Sequence, residues 1–127
     1  MESANIYAAW ISILFGFIGG SIAGLRFHKA EWLGGYESWA RRMLRLAHIS
    51  LFGIAFLNLA AIFSADRLHI PQTAMVPVLT LFLLAQITMP LVCYLSAYRQ
   101  KFRHFFPIPV VSLLGGTLMF LYAGLVR

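Results

Sequence analysis

Four apolar runs of about twenty residues constrain this chain more than any other feature of its sequence. An α-helix rises ~1.5 Å per residue, so ~20 residues suffice to cross a hydrocarbon layer ~30 Å thick. The runs cover 4–25, 43–64, 72–98 and 105–126, and none of them contains Asp or Glu. Their one Lys or Arg is Arg45, in the opening turn of the second run, where it can snorkel to the interface. The spans take up most of the 127 residues and leave no room for a separate soluble domain. Composition agrees: 61% of residues are hydrophobic and 11% charged, against roughly 25% charged in an ordinary soluble domain. The expected architecture is an all-α integral membrane protein, a single four-transmembrane-helix bundle over 1–127.

Ten Lys and Arg against four Asp and Glu leave a net charge of +6. Such an excess can signal nucleic acid, but here its placement signals topology. Arg26, Lys29, Arg41, Arg42 and Arg45 lie in or beside the 26–42 connection, and Arg99, Lys101 and Arg103 lie between the last two spans. Only Arg67 and Arg127 fall on the other side. The positive-inside rule then puts both basic connections in the cytoplasm and both termini outside, in what we expect to be a bacterial inner membrane. Aromatic residues suit the same orientation, with Trp32, Tyr36, Trp39, Tyr94 and Tyr98 at the cytoplasmic interface and Tyr7, Trp10 and Tyr122 at the other. A cleaved signal peptide would carry its positive charge before the apolar run; here Glu2 precedes it and Arg26 and Lys29 follow, so the first span is expected to be retained.

Within 26–42, Gly34-Gly35 divides the segment, and Tyr36, Trp39 and Met43 recur at helical spacing beside Arg41, Arg42 and Arg45. This predicts a short interfacial helix before the second span. The 65–71 connection is short, Pro77 and Pro90 suit a kinked or tilted third helix, and Pro107 and Pro109 mark the entry of the fourth. The two halves share a helix, basic loop, helix pattern but no aligned repeat.

Small residues recur at every fourth position of the first span: Ala4, Ala8, Ser12, Gly16, Gly20 and Gly24, with Gly19 beside them. In lipid such residues let two helix backbones approach closely, so the stripe predicts a helix–helix interface, within the chain or with another subunit. Ser112, Gly116 and Gly124 form a shorter stripe on the fourth span.

Three of four histidines fall on the basic side: His28, His48 and His104, with His69 opposite. Neutral imidazole is the usual axial ligand of b-type haem, so a haem site at that interface is one reading, with His48 its best member and His104 or His28 the partner. His48 shares a helical face with Leu51, Phe52, Ala55, Leu59 and Ile62, a wall with one small position where a macrocycle or a helix can fit. The plainer reading is an interfacial histidine bonded to a carbonyl or a lipid phosphate.

Asn58 and Gln86 are mid-span polar groups, expected to bond to each other across a helix pair at ~0.6 kcal/mol. The face Gln86, Pro90, Cys93, Ala97 offers a sharper alternative, because Pro90 frees a carbonyl and an opened turn can line a small cavity for a quinone or an ion. Cys93 has no basic group or histidine beside it in sequence, which argues against a reactive thiolate, and the lone cysteine excludes a disulfide or a Cys-rich metal site. No span holds the carboxylate a proton-coupled pump requires, and no hydrolase, P-loop or dinucleotide motif is present.

The expectation is a non-enzymatic accessory subunit of a multi-subunit membrane complex, an energy-converting electron-transfer assembly. Its partners would be other membrane subunits and anionic lipids: Arg41, Arg42, Arg45, Arg99, Lys101 and Arg103 would attract the lipids at about 1 kcal/mol per residue or dock an acidic peripheral subunit, with Arg41, Arg42 and Arg45 beside Trp39 the first candidates for docking. A haem b- or quinone-binding anchor using His48 is the alternative, and a small oligomeric transporter of a neutral solute the second.

Overall fold

A computed structural model describes residues 2–126, so Arg127 lies outside the described residues. The chain forms α1 (Glu2–Gly24), α2 (Trp39–Arg67), α3 (Gln72–Tyr98) and α4 (Pro107–Leu125), with 3₁₀ segments at Trp32–Gly34 and Gln100–Phe105. The described residues contain no strand, and four helices are long and apolar enough to span a membrane.

The boundaries follow local chemistry. The third helix fills 72–98, and Pro77 and Pro90 sit inside it without interrupting it. The second begins at Trp39, earlier than the apolar run, because Ser38 caps it: the Ser38 hydroxyl accepts from the Arg41 amide at 3.2 Å. The short helical approach expected before the second span is, from Trp39 on, the opening of α2 itself. The fourth helix starts later than expected, at Pro107, where a ring-locked φ and a missing N–H cost nothing in the first turn. Phe105 closes the preceding 3₁₀ segment instead. Gly34 and Gly35 have φ of +86° and +93°, which side chains rarely tolerate, so the divide they mark is a turn that needs glycine.

At the α2–α3 turn the His69 amide donates to Asp66 O and the Ile70 amide to Ala65 O, while His69 takes a φ of +51°. This is the bond pattern of a Schellman cap with histidine in the left-handed position glycine usually holds. It folds Ile70 back onto Ala65 in the core, and Pro71 starts α3 immediately.

Packing follows chain order: α2 and α3 form the inner pair, α1 lies chiefly on α2, and α4 lies on α3. The main core joins Ala61 and Ala65 of α2, Ile70, and Met75, Val78, Leu79 and Phe82 of α3, flanked by Leu113 and Phe120 of α4. A second cluster joins Ala9 and Ile13 of α1 to Ala55 of α2, flanked by Phe52 and Leu59. Small residues on the outer helices meet large rings on the inner ones. A Cβ built on Gly16 would lie 2.5 Å from the Phe52 ring, and one on Gly116 would lie 2.6 Å from the Phe82 ring. Such close contact between small residues and rings gives the outer helices their dispersion attraction to the inner pair.

Candidate functional site

The largest buried polar feature is a chain of three amides, one on each of α1, α2 and α3. Asn5 Nδ2 donates to Asn58 Oδ1 at 2.7 Å and to the Leu79 carbonyl at 2.8 Å. Asn58 Nδ2 in turn donates to Gln86 Oε1. Asn5 and Asn58 are 0% exposed and Gln86 4%, so the bonds are shielded from both water and lipid. Membrane hydrogen bonds of this kind average ~0.6 kcal/mol and reach ~1.7. Their strength here is directional: the amides fix the relative rotation of three helices. A fourth polar bond, Ser12 Oγ to the Leu51 carbonyl at 2.9 Å, continues the α1–α2 contact.

Asn58 and Gln86 thus meet across the α2–α3 pair, and Asn5 is the member that sequence reasoning missed. It lies one residue inside an apolar run and was absorbed into it. Its signal was the spacing Asn5, Ala9, Ser12, Gly16, a helical face of small and polar residues that is the buried face of α1.

The small-residue stripe divides along its length. Ser12 and Gly16 are buried, and Gly20 supports the His48 ring so closely that a side chain at 20 would collide with Cε1. A Cβ built on Gly24 would meet nothing within 4 Å. The partner of the stripe's middle is therefore α2 of the same chain. On α4, Ser112 and Gly116 are buried against α3, and Gly124 faces Ile70.

The three basic-side histidines sit in three different settings. His48 lies between α1 and α2, edge-to-face with Phe52 at 5.2 Å, and its Nδ1 is buried without a hydrogen-bond partner. His28 is exposed in the loop after α1, and His104 is exposed on the 3₁₀ segment before α4. Among the described residues no group of His, Cys, Asp and Glu is placed to hold a metal ion. The small position at Ala55 on the His48 face is occupied by a helix, since Ala55 packs on Ala9 and Ile13. Gln86, Pro90 and Cys93, the face considered for a quinone, are buried within the bundle.

The basic residues also separate. Arg41 is only 3% exposed: its guanidinium donates to the Lys29 carbonyl at 2.8 Å and lies 5.5 Å from the Phe27 ring and 5.4 Å from the Trp32 ring. It faces its own loop and is unavailable to a docking partner. Arg45 does similar work beside it, donating to the Tyr36 carbonyl at 3.1 Å and lying 4.2 Å over the Tyr36 ring. Trp39 ties α2 to the end of α3 through Nε1 and the Ser96 carbonyl, 2.8 Å apart. Arg42, Arg99, Lys101 and Arg103 remain exposed at that end. At the opposite end, Glu2, Asp66 and His69 line a cavity of about 570 Å³ with Ile6 and Gln72, a grouping the linear sequence did not suggest.

Comparison with protein-family models, with curated proteins and with solved structures finds no match to this chain.

Proposed function

We propose that this protein is a small accessory subunit of a larger membrane assembly, oriented with its basic end in the cytoplasm and both termini outside. An energy-converting complex of a bacterial inner membrane is the setting this reading favours. One observation carries it. Ile49, Gly53, Phe56, Ala60 and Phe63 are all exposed along one stripe of α2, alternating large and small in a 3.5-residue rhythm, and a Cβ built on Gly53 would stand in open space. A neighbouring helix can enter such a stripe knob-into-hole, whereas a lipid chain gains nothing from the rhythm. The amides of the bundle support the same reading, since Asn5, Asn58 and Gln86 are bonded in one chain and buried, and even the unpartnered Asn5 Oδ1 is closed off from the surface. The protein then acts through what it touches laterally.

The test is extraction of the full chain in mild detergent, with co-purifying proteins identified by mass spectrometry. Native protein should bring down membrane subunits in fixed ratio, and Gly53→Leu should release them while leaving the melting temperature of the chain unchanged. Recovery of the native chain as a stable monomer overturns the proposal.

A haem b anchor is the second reading; the orphan Nδ1 of His48 is the one observation for it, while the ring lies against Gly20 and the Ala55 position beside it is filled by α1. It requires a Soret band in the purified protein that His48→Ala abolishes, and the accessory-subunit reading expects neither.

A further inference from the structure

The six-residue segment Gln100–Phe105 separates two kinds of surface. In a 3₁₀ helix residues three apart eclipse one another. Phe102 and Phe105 therefore share one side, with ring centroids 6.2 Å apart and planes 29° from parallel. Lys101 and His104 share a second side, and Gln100 and Arg103 a third.

The phenylalanine side closes an apolar groove of about 330 Å³, walled by Leu91 and Leu95 of α3 and by Ile108 of α4. Thr88 is the groove's one polar side chain, and its hydroxyl is turned back to the Leu84 carbonyl at 2.7 Å. From Thr88 to the end of α3 at Tyr98 is ten residues, or ~15 Å of helix. That is about half of a ~30 Å hydrocarbon layer, the depth of one leaflet. On the other sides of the same segment Gln100, Lys101, Arg103 and His104 line a polar hollow of about 290 Å³. The Lys101 ammonium lies 5.7 Å from the Phe102 ring, so positive charge stands at the mouth of the apolar groove. Residues 99–106 contain Arg99, Lys101 and Arg103 and no carboxylate.

We infer that this junction binds one anionic phospholipid, with an acyl chain along the α3–α4 groove and its phosphate against Lys101 and Arg103. The apolar groove selects a lipid over a free anion, and the cations select an anionic headgroup over a zwitterionic one. Basic pockets beside membrane helices recognise anionic headgroups in this way. The inference rests on the membrane-spanning reading and is independent of the accessory role.

Native mass spectrometry of the full chain, released from nanodiscs of equal phosphatidylglycerol and phosphatidylcholine, tests it; incorporation into the nanodisc is scored separately, so a failure to span membranes is not confused with a failure to bind lipid. One retained phosphatidylglycerol per chain is expected, with little phosphatidylcholine. Lys101→Gln/Arg103→Gln should lower that preference about thirtyfold, as the loss of two surface cations implies. Leu95→Trp, which fills the groove without altering charge, should also expel the lipid. The matched pair Arg26→Gln/Lys29→Gln, at the same end but away from the groove, should retain it. Equal retention of the two lipids, equal loss in the matched pair, or displacement by millimolar inorganic phosphate overturns the assignment. Thermal melting of each variant identifies any that fail to fold, and the Leu95→Trp and charge variants provide two independent routes to the result.

Discussion

Asn5 and Asn58 are 53 residues apart in sequence, their side-chain amides lie 2.7 Å apart in space, and the hydrogen-bond chain passes on from Asn58 to Gln86. Asn58 is the middle link. Asn58→Leu removes both bonds and leaves Asn5 and Gln86 with unmet polar groups in a dry interior. Two bonds at the membrane average give about 1.2 kcal/mol of lost stability, and the stranded partners raise it toward about 3. Denaturant titration of the reconstituted protein should show this loss, while Thr80→Val, an exposed hydroxyl bonded only to its own helix, should change stability by less than about 0.5 kcal/mol.

Gly20→Leu should destabilise the chain by about 1–3 kcal/mol, because the new side chain would collide with the His48 ring and force α1 away from α2. Gly24→Leu, one turn further along the same stripe where nothing lies within 4 Å, should be tolerated. Thermal melting in detergent distinguishes the two. Equal loss at both sites would mean that the stripe is packed along its whole length.

Arg41→Gln should loosen residues 25–38 without unfolding the helices. The variant loses the cationic contacts with Phe27 and Trp32 and the charge-assisted bond to Lys29, leaving the loop held mainly by its own turns. Limited trypsinolysis at Arg26 and Lys29 should accelerate several-fold, with helical circular dichroism unchanged. Arg42→Gln, which removes an exposed cation 6.0 Å from the Trp39 ring, should leave the cleavage rate at 26 and 29 as it was.

Cys93 is 0% exposed on α3, the inner helix that packs against both α2 and α4. A maleimide should label it only after denaturation, and the labelling rate then reports opening of the inner helix pair. Fast labelling of the folded protein would show a path to the thiol that the packed bundle does not provide.

The spans, their order and their ends were largely legible because a membrane-length apolar run is a one-dimensional signal. Residues 72–98 show this best, bounded by Pro71 and Arg99 in both sequence and structure. Ends set by a single hydrogen bond were not legible: the Ser38 cap moved the start of α2 to Trp39, and nothing in hydropathy marks the 3₁₀ segment at Gln100–Phe105.

Sequence by itself determined that four helices form, that small residues line one face of the first, and that Asn58 and Gln86 want partners. Only the tertiary structure decided which surfaces those features meet. The rotation of each helix about its axis gave Gly16 and Gly20 to α2, brought Asn5 onto Asn58, and turned Arg41 inward while leaving Lys101 and Arg103 outside. The physical reason is that apolar content is a property of each segment alone, whereas contact depends on the angle and depth at which two segments meet. Where most faces of a helix are apolar, those are set by close packing and by a few hydrogen bonds between side-chain amides of α1, α2 and α3.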